Sequence, residues 1–358
     1  MATDSYSSSS GQRKGDDESC VAPPSLRRGD AVGGRYEVMV KLGEGGFGAV
    51  YKVRDATGFY AMKIESAREE VRVLKLEVKV LQLLARRSGR HFCSIVGKGR
   101  ERLSQGAPFN YVVMTLAGLS LADLRKACPR QHFSMGTALS VGIKCLEAVE
   151  DLHAVGYLHR DLKPANYAIG RPPNQRQVYV LDFGMCRRHL KEGNVTRRPR
   201  RLAGFRGTVR YAPLKCHMAK ELGRRDDLET WFYQQVELTK GSLPWTYDQN
   251  KDVVYKKKEA AQKEDVPKKL LANCPRVYLD IFKYICGLEY EDRPEYQRVY
   301  AKLHEALAQV RKSETDPYDW EEGGEHYKHI ARACRLDHSV YEPHKDAGGW
   351  ADWGWGGK

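Results

Sequence analysis

No two cysteines in this chain form a Cys-x-x-Cys pair, and its nine cysteines are scattered singly between Cys20 and Cys334. That spacing and the odd count argue against a disulfide framework or a structural zinc site, and for a reducing compartment. No apolar run approaches the ~20 residues that a bilayer-spanning helix needs. The opening Met-Ala-Thr-Asp-Ser-Tyr lacks the basic start and apolar core of a secretory leader. Ala2, where a myristoylated chain carries glycine, removes that signal too. A soluble cytoplasmic protein, able to be nuclear as well, is expected, with no membrane association. No internal repeat of the solenoid kind is visible. Negative charge is in deficit: 46 Asp and Glu against 60 Lys and Arg leave a net +14 and a pI near 9.3. Such a balance favours acidic partners, whether nucleic acid, anionic membrane or an acidic protein, without choosing among them.

What is present is ordinary globular material. The chain has 358 residues, 41% hydrophobic and 30% charged, enough for one large domain with tails or for two lobes sharing a cleft. Residues 1–30, rich in Ser, Gly and charge, read as a disordered tail. Ser5 and Ser7 to Ser10 there are either phosphorylation sites or part of an undecorated solubilising segment. Strand signals dominate 36–64. Residues 66–88 turn helical, with Glu69 and Glu70 placed to favour the dipole of the first turn. Residues 111–116 form a short apolar strand. Helical patterns prevail after Leu121, interrupted by a loop–strand–loop stretch at 158–184. A small β-rich lobe thus precedes a larger α-rich one, with the boundary near 117–120. Residues 187–210 carry nine basic side chains against Glu192 alone, a second basic run is Lys256, Lys257 and Lys258, and the chain ends in GGWADWGWGGK.

Four motifs carry chemistry. Gly43-Glu-Gly45-Gly46-Phe-Gly48-Ala-Val50 follows one strand and precedes another. Phosphates need close backbone approach, which side chains would block. A dinucleotide-binding domain would follow such a loop with a helix, whereas Val50-Tyr-Lys-Val-Arg is strand-like; a plain Gly-rich hairpin stays open. In Phe59-Tyr-Ala61-Met-Lys63-Ile, period 2 puts Ala61 and Lys63 on one strand face. The small side chain leaves room for a flat base, and the ammonium can reach phosphates. Glu77 falls on a helical stripe with Val73, Val80 and Leu84. A carboxylate there is costly unless paired, and Lys63 is the candidate partner unless the stripe is offset enough to leave Glu77 at its edge. His159-Arg160-Asp161-Leu162-Lys163-Pro164-Ala165-Asn166 and Asp182-Phe183-Gly184 complete the set. Phosphoryl transfer needs a carboxylate to orient the hydroxyl nucleophile, cations at the γ-phosphate and oxygen ligands for Mg²⁺. Asp161, Lys163, Asn166 and Asp182 can supply them.

These motifs, in this order, resemble the eukaryotic protein kinase family over roughly residues 36–310. The resemblance implies an α+β, bilobal protein kinase fold with a small β-rich N-lobe (36–117) and a larger α-helical C-lobe (118–320), followed by an extension at 321–358. It implies ATP and Mg²⁺ as cofactors. Leu42, Gly43, Glu44, Gly45, Gly46, Phe47, Gly48 and Val50 would cover the nucleotide, and Ala61 would face its base. Lys63, held by Glu77, would bind its α/β-phosphates. Met114 would be the gatekeeper, with Thr115, Leu116 and Ala117 as the hinge. Asp161 would position the acceptor hydroxyl and serve as base, Lys163 would meet the γ-phosphate, and Asn166 and Asp182 would bind the metal. Asp227 would anchor the catalytic-loop backbone.

Leu162-Lys-Pro-Ala-Asn166 and Thr208, which would contact Asp161 and Lys163, match the Ser/Thr type. One departure stands out: Tyr211-Ala-Pro213-Leu214 lacks the family's Glu after Pro, so a salt bridge from Arg293 is in doubt. That loss, with Arg210-Tyr-Ala, Arg225-Asp-Asp227-Leu-Glu and Gly241-Ser-Leu-Pro-Trp245, is similar to the casein kinase 1 group. Val113-Met-Thr-Leu-Ala-Gly, Leu121-Ala-Asp-Leu-Arg125 and Asp316-Pro-Tyr-Asp-Trp320 are most similar to its tau-tubulin kinase branch. The resemblance implies protein substrates with Ser/Thr acceptors, acidic or already phosphorylated, and a monomer. Arg160, Arg210, Lys256, Lys257 and Lys258 are candidates for a substrate anion site, the alternative being a merely solvated basic surface. The arginines of 197–201 either bind substrate or belong to a solvated loop. Few acceptors lie in the activation segment, chiefly Thr196 and Thr208, so activity without loop phosphorylation is expected. A catalytically dead scaffold would need damage at Lys63, Asp161, Asn166 or Asp182, and none is damaged. No motif for specific nucleic-acid binding is evident.

Overall fold

The computed structural model describes residues 25–45, 48–68, 72–103 and 106–334. The tail serines, Glu69 and Glu70, Gly46 and Phe47, and the Gly/Trp-rich terminus lie outside the described residues. The chain runs β1 (Ala31–Val32), β2 (Tyr36–Gly45), β3 (Gly48–Asp55), β4 (Gly58–Ser66), α1 (Val73–Arg87), β5 (Ile95–Glu101) and β6 (Phe109–Thr115). The strands form one antiparallel sheet in the order β1-β2-β3-β4-β6-β5. Alternation divides its two faces. Met62, Ile64, Phe109 and Val113 join Val38, Tyr51 and Val53 in a core above the sheet. Val112 and Met114 turn the other way and pack with Leu74 and Cys93, with Ala61 alongside. The register sets Val50 opposite Lys63 and Ala61 opposite Met114, so all of them border one cleft.

α1 begins at Val73, later than the apolar pattern at 66–88 suggests. The first-turn carboxylate comes from the neighbouring strand: Glu65 accepts from the Leu74 N–H at 2.7 Å and from Asn110 Nδ2 at 3.3 Å. This satisfies one of the helix's orphan donors. At its other end, buried Asp151 accepts from Arg87 Nε at 3.1 Å and Ser88 Oγ at 2.5 Å. That bond ties α1 to the larger lobe.

The larger lobe contains α2 (Leu121–Ala127), α3 (Met135–Ala154), β7 (Tyr157–Leu158), β8 (Tyr167–Ile169), β9 (Val178–Val180), β10 (Arg187–Arg188), α4 (Leu214–His217), α5 (Arg224–Lys240), α6 (Lys251–Lys263), α7 (Lys268–Leu271), α8 (Val277–Gly287), α9 (Tyr296–Gln309) and α10 (Tyr327–Cys334). α5 is its axis, buried from Arg224 to Thr239. A helix buried all round must satisfy its polar side chains internally. Trp231 Nε1 donates to Gly142 O at 3.1 Å and Gln235 Nε2 to Ala138 O at 2.9 Å. No helix among the described residues is long and apolar enough to cross a membrane.

Both ends of the fold reach beyond the 36–320 span read from the sequence. Leu26 is buried and its N–H donates to Tyr51 Oη at 3.1 Å, so the ordered chain starts inside the stretch assigned to the tail. Asp319 Oδ2 accepts from Ser134 N at 2.7 Å beside the N-terminus of α3, and Trp320 packs on Phe133. α10 then adds the fully buried Ile330 to the main core.

Candidate active site

Glu77 sits on the buried stripe of α1, and the structure resolves its partner. Lys63 Nζ donates to Glu77 Oε2 at 2.6 Å and to Asp182 Oδ1 at 3.1 Å. Burial alone would lower the Lys63 pKa, but the charges of Glu77 and Asp182 outweigh it and raise it. The Lys63 ammonium in turn pulls the Asp182 carboxyl down to about 2. Asp182 has φ of 60°, a left-handed conformation rare outside glycine. Its neighbour explains how that is held: Phe183 is buried against Phe92 and His159. Such strain persists where surrounding packing over-determines it.

The loop 159–166 hangs from α5. Asp227 accepts from the N–H of His159 at 2.7 Å and of Arg160 at 2.9 Å, and from His153 Nε2 at 2.9 Å. Arg160, also left-handed at φ 69°, directs Asp161 back toward the cleft. Asp161 Oδ1 accepts from Thr208 Oγ1 at 2.8 Å, and Oδ2 lies 3.0 Å from Lys163 Nζ. Lys163 Nζ also donates to Thr208 at 3.2 Å. Asn166 Nδ2 donates to Asp161 O at 2.8 Å, which leaves its amide oxygen as the outward acceptor. The Leu181 N–H donates to Asn166 O at 2.8 Å, coupling the loop to Asp182. Asn166 and Asp182 together offer hard oxygen atoms of the kind Mg²⁺ takes. Gly207 closes the loop against the segment that follows: its φ is +97°, and a Cβ there would stand 2.6 Å from Arg160 O.

Around the cleft, Leu42, Gly43 and Val50 are half-buried, and Glu44 is exposed and paired with Lys41. Gly45 has open space where a side chain would stand, whereas a Cβ on Gly48 would meet Ile64 O at 2.0 Å. At Gly48, strand pairing itself demands glycine. Gly46 and Phe47 lie outside the described residues. Ala61 and Met114 face each other across β4 and β6. Thr115 bonds Ser94 through both its N–H and its Oγ1, each at 3.0 Å. Among the described residues, nothing bonds to the N–H groups of Leu116 or Ala117.

Most of the basic residues named for the anion site are engaged by other groups in the fold. Lys258 is fully buried and donates to Val209 O at 2.8 Å and Ala212 O at 2.6 Å. It is a strut under the backbone and not a surface ligand for anions, which corrects its place in the anion set. Lys257 is engaged by Asp248 at 2.6 Å, and Lys256 is exposed. Arg210 spends part of its charge on buried Glu237, 3.3 Å away, and donates to Thr246 O at 3.0 Å. Arg160 Nε donates to Met185 O at 2.7 Å. Glu237 was invisible in the sequence because nothing local marks a helical Glu as the counter-charge of a residue 27 positions earlier.

The missing Glu after Pro213 is replaced from α5. Leu214 N donates to Glu229 Oε1 at 2.8 Å, and Arg225 Nη2 lies 3.4 Å from Glu229 Oε2. Arg293 is exposed, and Arg224 instead donates to Glu291 O at 2.8 Å. Asp226 accepts from Gly223 N at 2.7 Å, while burial, and then the charge of Glu229, push its carboxyl up to about 7. A folded-state pKa above the ordinary 3.8 stabilises the fold fully at acid pH, and that contribution is lost as pH rises toward 7. The wild-type melting temperature should therefore fall between about pH 4 and 7 more steeply than that of Asp226→Asn, measured by calorimetry across that range.

Residues 36–304 match the protein kinase domain family. The chain belongs to the protein kinase family, in its serine/threonine class. It is 36% identical over 296 residues to a serine/threonine-protein kinase of Dictyostelium discoideum, covering 82% of this chain and 58% of that one. It is 35% identical over 294 residues to the serine/threonine-protein kinase spe-6 of Caenorhabditis elegans, covering 80% and 76%. It is 30% identical over 298 residues to casein kinase I homolog 3 of Schizosaccharomyces pombe, covering 81% and 66%. The chain thus spans less than two thirds of the length of some of these kinases. Each motif that suggested the kinase family lies inside the matched span.

Proposed function

We propose that this kinase transfers the γ-phosphoryl group of ATP to Ser or Thr hydroxyls of acidic or phosphate-bearing proteins, as a member of the casein kinase 1 group and its tau-tubulin kinase branch. The observation that carries the catalytic assignment is the Asp161 carboxylate, held by Thr208 and Lys163 at the mouth of the cleft. In this reading Asp161 orients the acceptor hydroxyl and takes its proton. Lys163 balances charge on the transferred group, and Lys63, braced by Glu77, positions the α/β-phosphates. Asn166 and Asp182 would hold Mg²⁺, which when bound would neutralise phosphate charge. Leu116 and Ala117 offer backbone groups to adenine beneath Val50 and Ala61.

Group membership is supported by the 30% identity to the casein kinase I homolog and by Leu214 in place of Glu. The substrate preference is supported by the exposed side chains of Arg197, Arg198 and Arg201, which have no carboxylate partner among the described residues. Arg160, Arg210 and Lys257 have part of their charge already engaged, and Lys256 is exposed. The eight described cysteines are unpaired, which supports a cytoplasmic or nuclear protein. We assign it as a monomer, without specific nucleic-acid binding or membrane attachment.

The test is purified protein with ATP-Mg²⁺ on arrayed Ser/Thr peptides, either acidic, phospho-primed or neutral, before and after phosphatase treatment of the enzyme. Incorporation should favour the acidic and primed peptides and survive the phosphatase. No incorporation above an Asp161→Asn control would sink the kinase reading. Equal rates on all three peptide classes would sink the anion preference, and an inert dephosphorylated enzyme would sink constitutive activity.

A further inference from the structure

The activation segment is crowded with arginines, and one carboxylate gathers two of them. Glu221, just ahead of α5, is buried. Its Oε1 lies 3.1 Å from Arg187 Nε and 3.2 Å from Arg200 Nη2. Its Oε2 accepts from Arg200 Nε and, at 3.4 Å, from the Arg200 backbone N–H. The Arg200 contact is therefore a two-pronged fork, the geometry that makes Arg–carboxylate pairs strong and directional. Burial would raise the Glu221 pKa, but the bonds and charges of Arg200 and Arg187 lower it. Its charge also acts on Arg160.

The three tied points are far apart along the chain. Arg187 lies in β10, whose pairing with Leu158 sets it beside the catalytic loop. Arg200 lies in the middle of the segment, and Glu221 lies past its end. The segment between them carries Gly207, packed tightly on Arg160 O, and Thr208, bonded to Asp161. A displaced segment would therefore displace a partner of the catalytic carboxylate. Switchable kinases gather such arginines with a phosphate added to the segment, which orders it. Here an anion built into the chain already occupies the focus of the arginines.

We propose that Glu221 is a positioning residue that does permanently what a loop phosphate does transiently, clasping Arg187 and Arg200 so that the activation segment stays ordered against the catalytic loop. This deepens the reading of a kinase active without loop phosphorylation and rests on it.

The experiment uses the full chain and three variants, Glu221→Ala, Glu221→Gln and Glu221→Asp. The first readout is tryptic cleavage within 197–201, which needs no catalysis. The second is kcat and KM for ATP and for a peptide. Sodium acetate, against sodium chloride at equal ionic strength, is the probe for refilling the vacated carboxylate site. Glu221→Ala should be cut about tenfold faster in that run and lose about tenfold in kcat/KM for peptide, with KM for ATP unchanged. Acetate should slow the cleavage and restore activity saturably in Glu221→Ala, and do neither in wild type. Glu221→Gln, which keeps the shape without the charge, should resemble Glu221→Ala without acetate, and Glu221→Asp should recover part of the loss. Wild-type cleavage and activity in Glu221→Gln would overturn the proposal. So would acceleration spread evenly over all tryptic sites, which marks general unfolding, or acetate acting no differently from chloride. An inactive wild type with acetate-sensitive cleavage in Glu221→Ala would sink the kinase reading and still support the clasp.

Discussion

Asp161→Asn protein should turn over ~10²–10⁴-fold more slowly than wild type while binding ATP as well as before. The carboxylate has two working faces. One oxygen accepts from Thr208 at 2.8 Å, and the other meets Lys163 at 3.0 Å. An amide fills the same volume, so the loop, hung from Asp227, keeps its shape. But the amide cannot take a proton, and its NH₂ must face either a hydroxyl donor or an ammonium. The acceptor hydroxyl then loses both its orienting partner and its base. In the proposed reading nucleotide binding rests on other groups, Lys63 with Glu77 and the strand-borne Ala61 and Met114, and Lys63 bonds Glu77 and Asp182 rather than Asp161. The check is steady-state turnover on a Ser peptide, with nucleotide affinity measured separately by calorimetry. Undiminished turnover would remove Asp161 from the role, whatever the affinity.

The parts of this site that were legible in the sequence are those where one residue's chemistry conflicts with its surroundings. Glu77 on an apolar stripe demanded a cation, and Lys63 stands 2.6 Å away. Strand alternation put Ala61 and Lys63 on one face, and the register of β4 against β6 realises it. The order of small β-rich and large α-rich lobes followed from the change of period near residue 120. The family resemblance added roles that no spacing could supply. Asp227 is one: its two bonds to the backbone of His159 and Arg160 join residues 68 and 67 positions apart.

Other features were hidden for a physical reason. α1 begins at Val73 because its first-turn carboxylate, Glu65, is donated by a strand, while Glu69 and Glu70 looked equally suitable in one dimension. Glu221 and Glu237 look like ordinary surface glutamates until the arginines that surround them arrive from elsewhere in the chain. Net charge is a sum and does not say which charges are paired in the fold. Several of the arginines and lysines that made the segment look like an open anion trap are already bonded to buried carboxylates or carbonyl oxygens. Among the described residues, those without a carboxylate partner form a narrower set, centred on Arg197, Arg198 and Arg201.

Lys258 is the sharpest case, and Lys258→Met should separate its role in activity from its role in stability. Its ammonium is fully buried and donates to Val209 O and Ala212 O, the carbonyls on either side of Arg210-Tyr211. The rings of Tyr233 and Trp245 lie 5.2 and 5.3 Å from it. No carboxylate bonds to it directly, and burial pushes its pKa down to about 7. Two opposing effects follow from replacing it. Hydrogen bonds to a charged donor are worth about 1.5–3 kcal/mol each, and the two to carbonyl oxygens are lost together with the longer 3.3 Å contact to His217 Nε2. Against that, a methionine of similar volume no longer has to be stripped of water, and the penalty for burying an ion is itself several kcal/mol. The two nearly offset, so the fold should lose only ~1–2 kcal/mol. Activity has no such compensation. Thr208 is one residue from Val209, and it bonds both Asp161 and Lys163. Without the strut, the Val209–Ala212 backbone is free to drift, and a small misplacement beside the reacting groups costs on the order of 10–100-fold. Lys258→Met should therefore show a nearly normal urea midpoint and a kcat/KM for peptide lower by that factor, with ATP affinity retained. A loss of activity matched by an equal fraction of unfolded protein would mean that Lys258 holds the fold alone, and full activity would mean that Glu229, through Leu214, is tether enough for this segment.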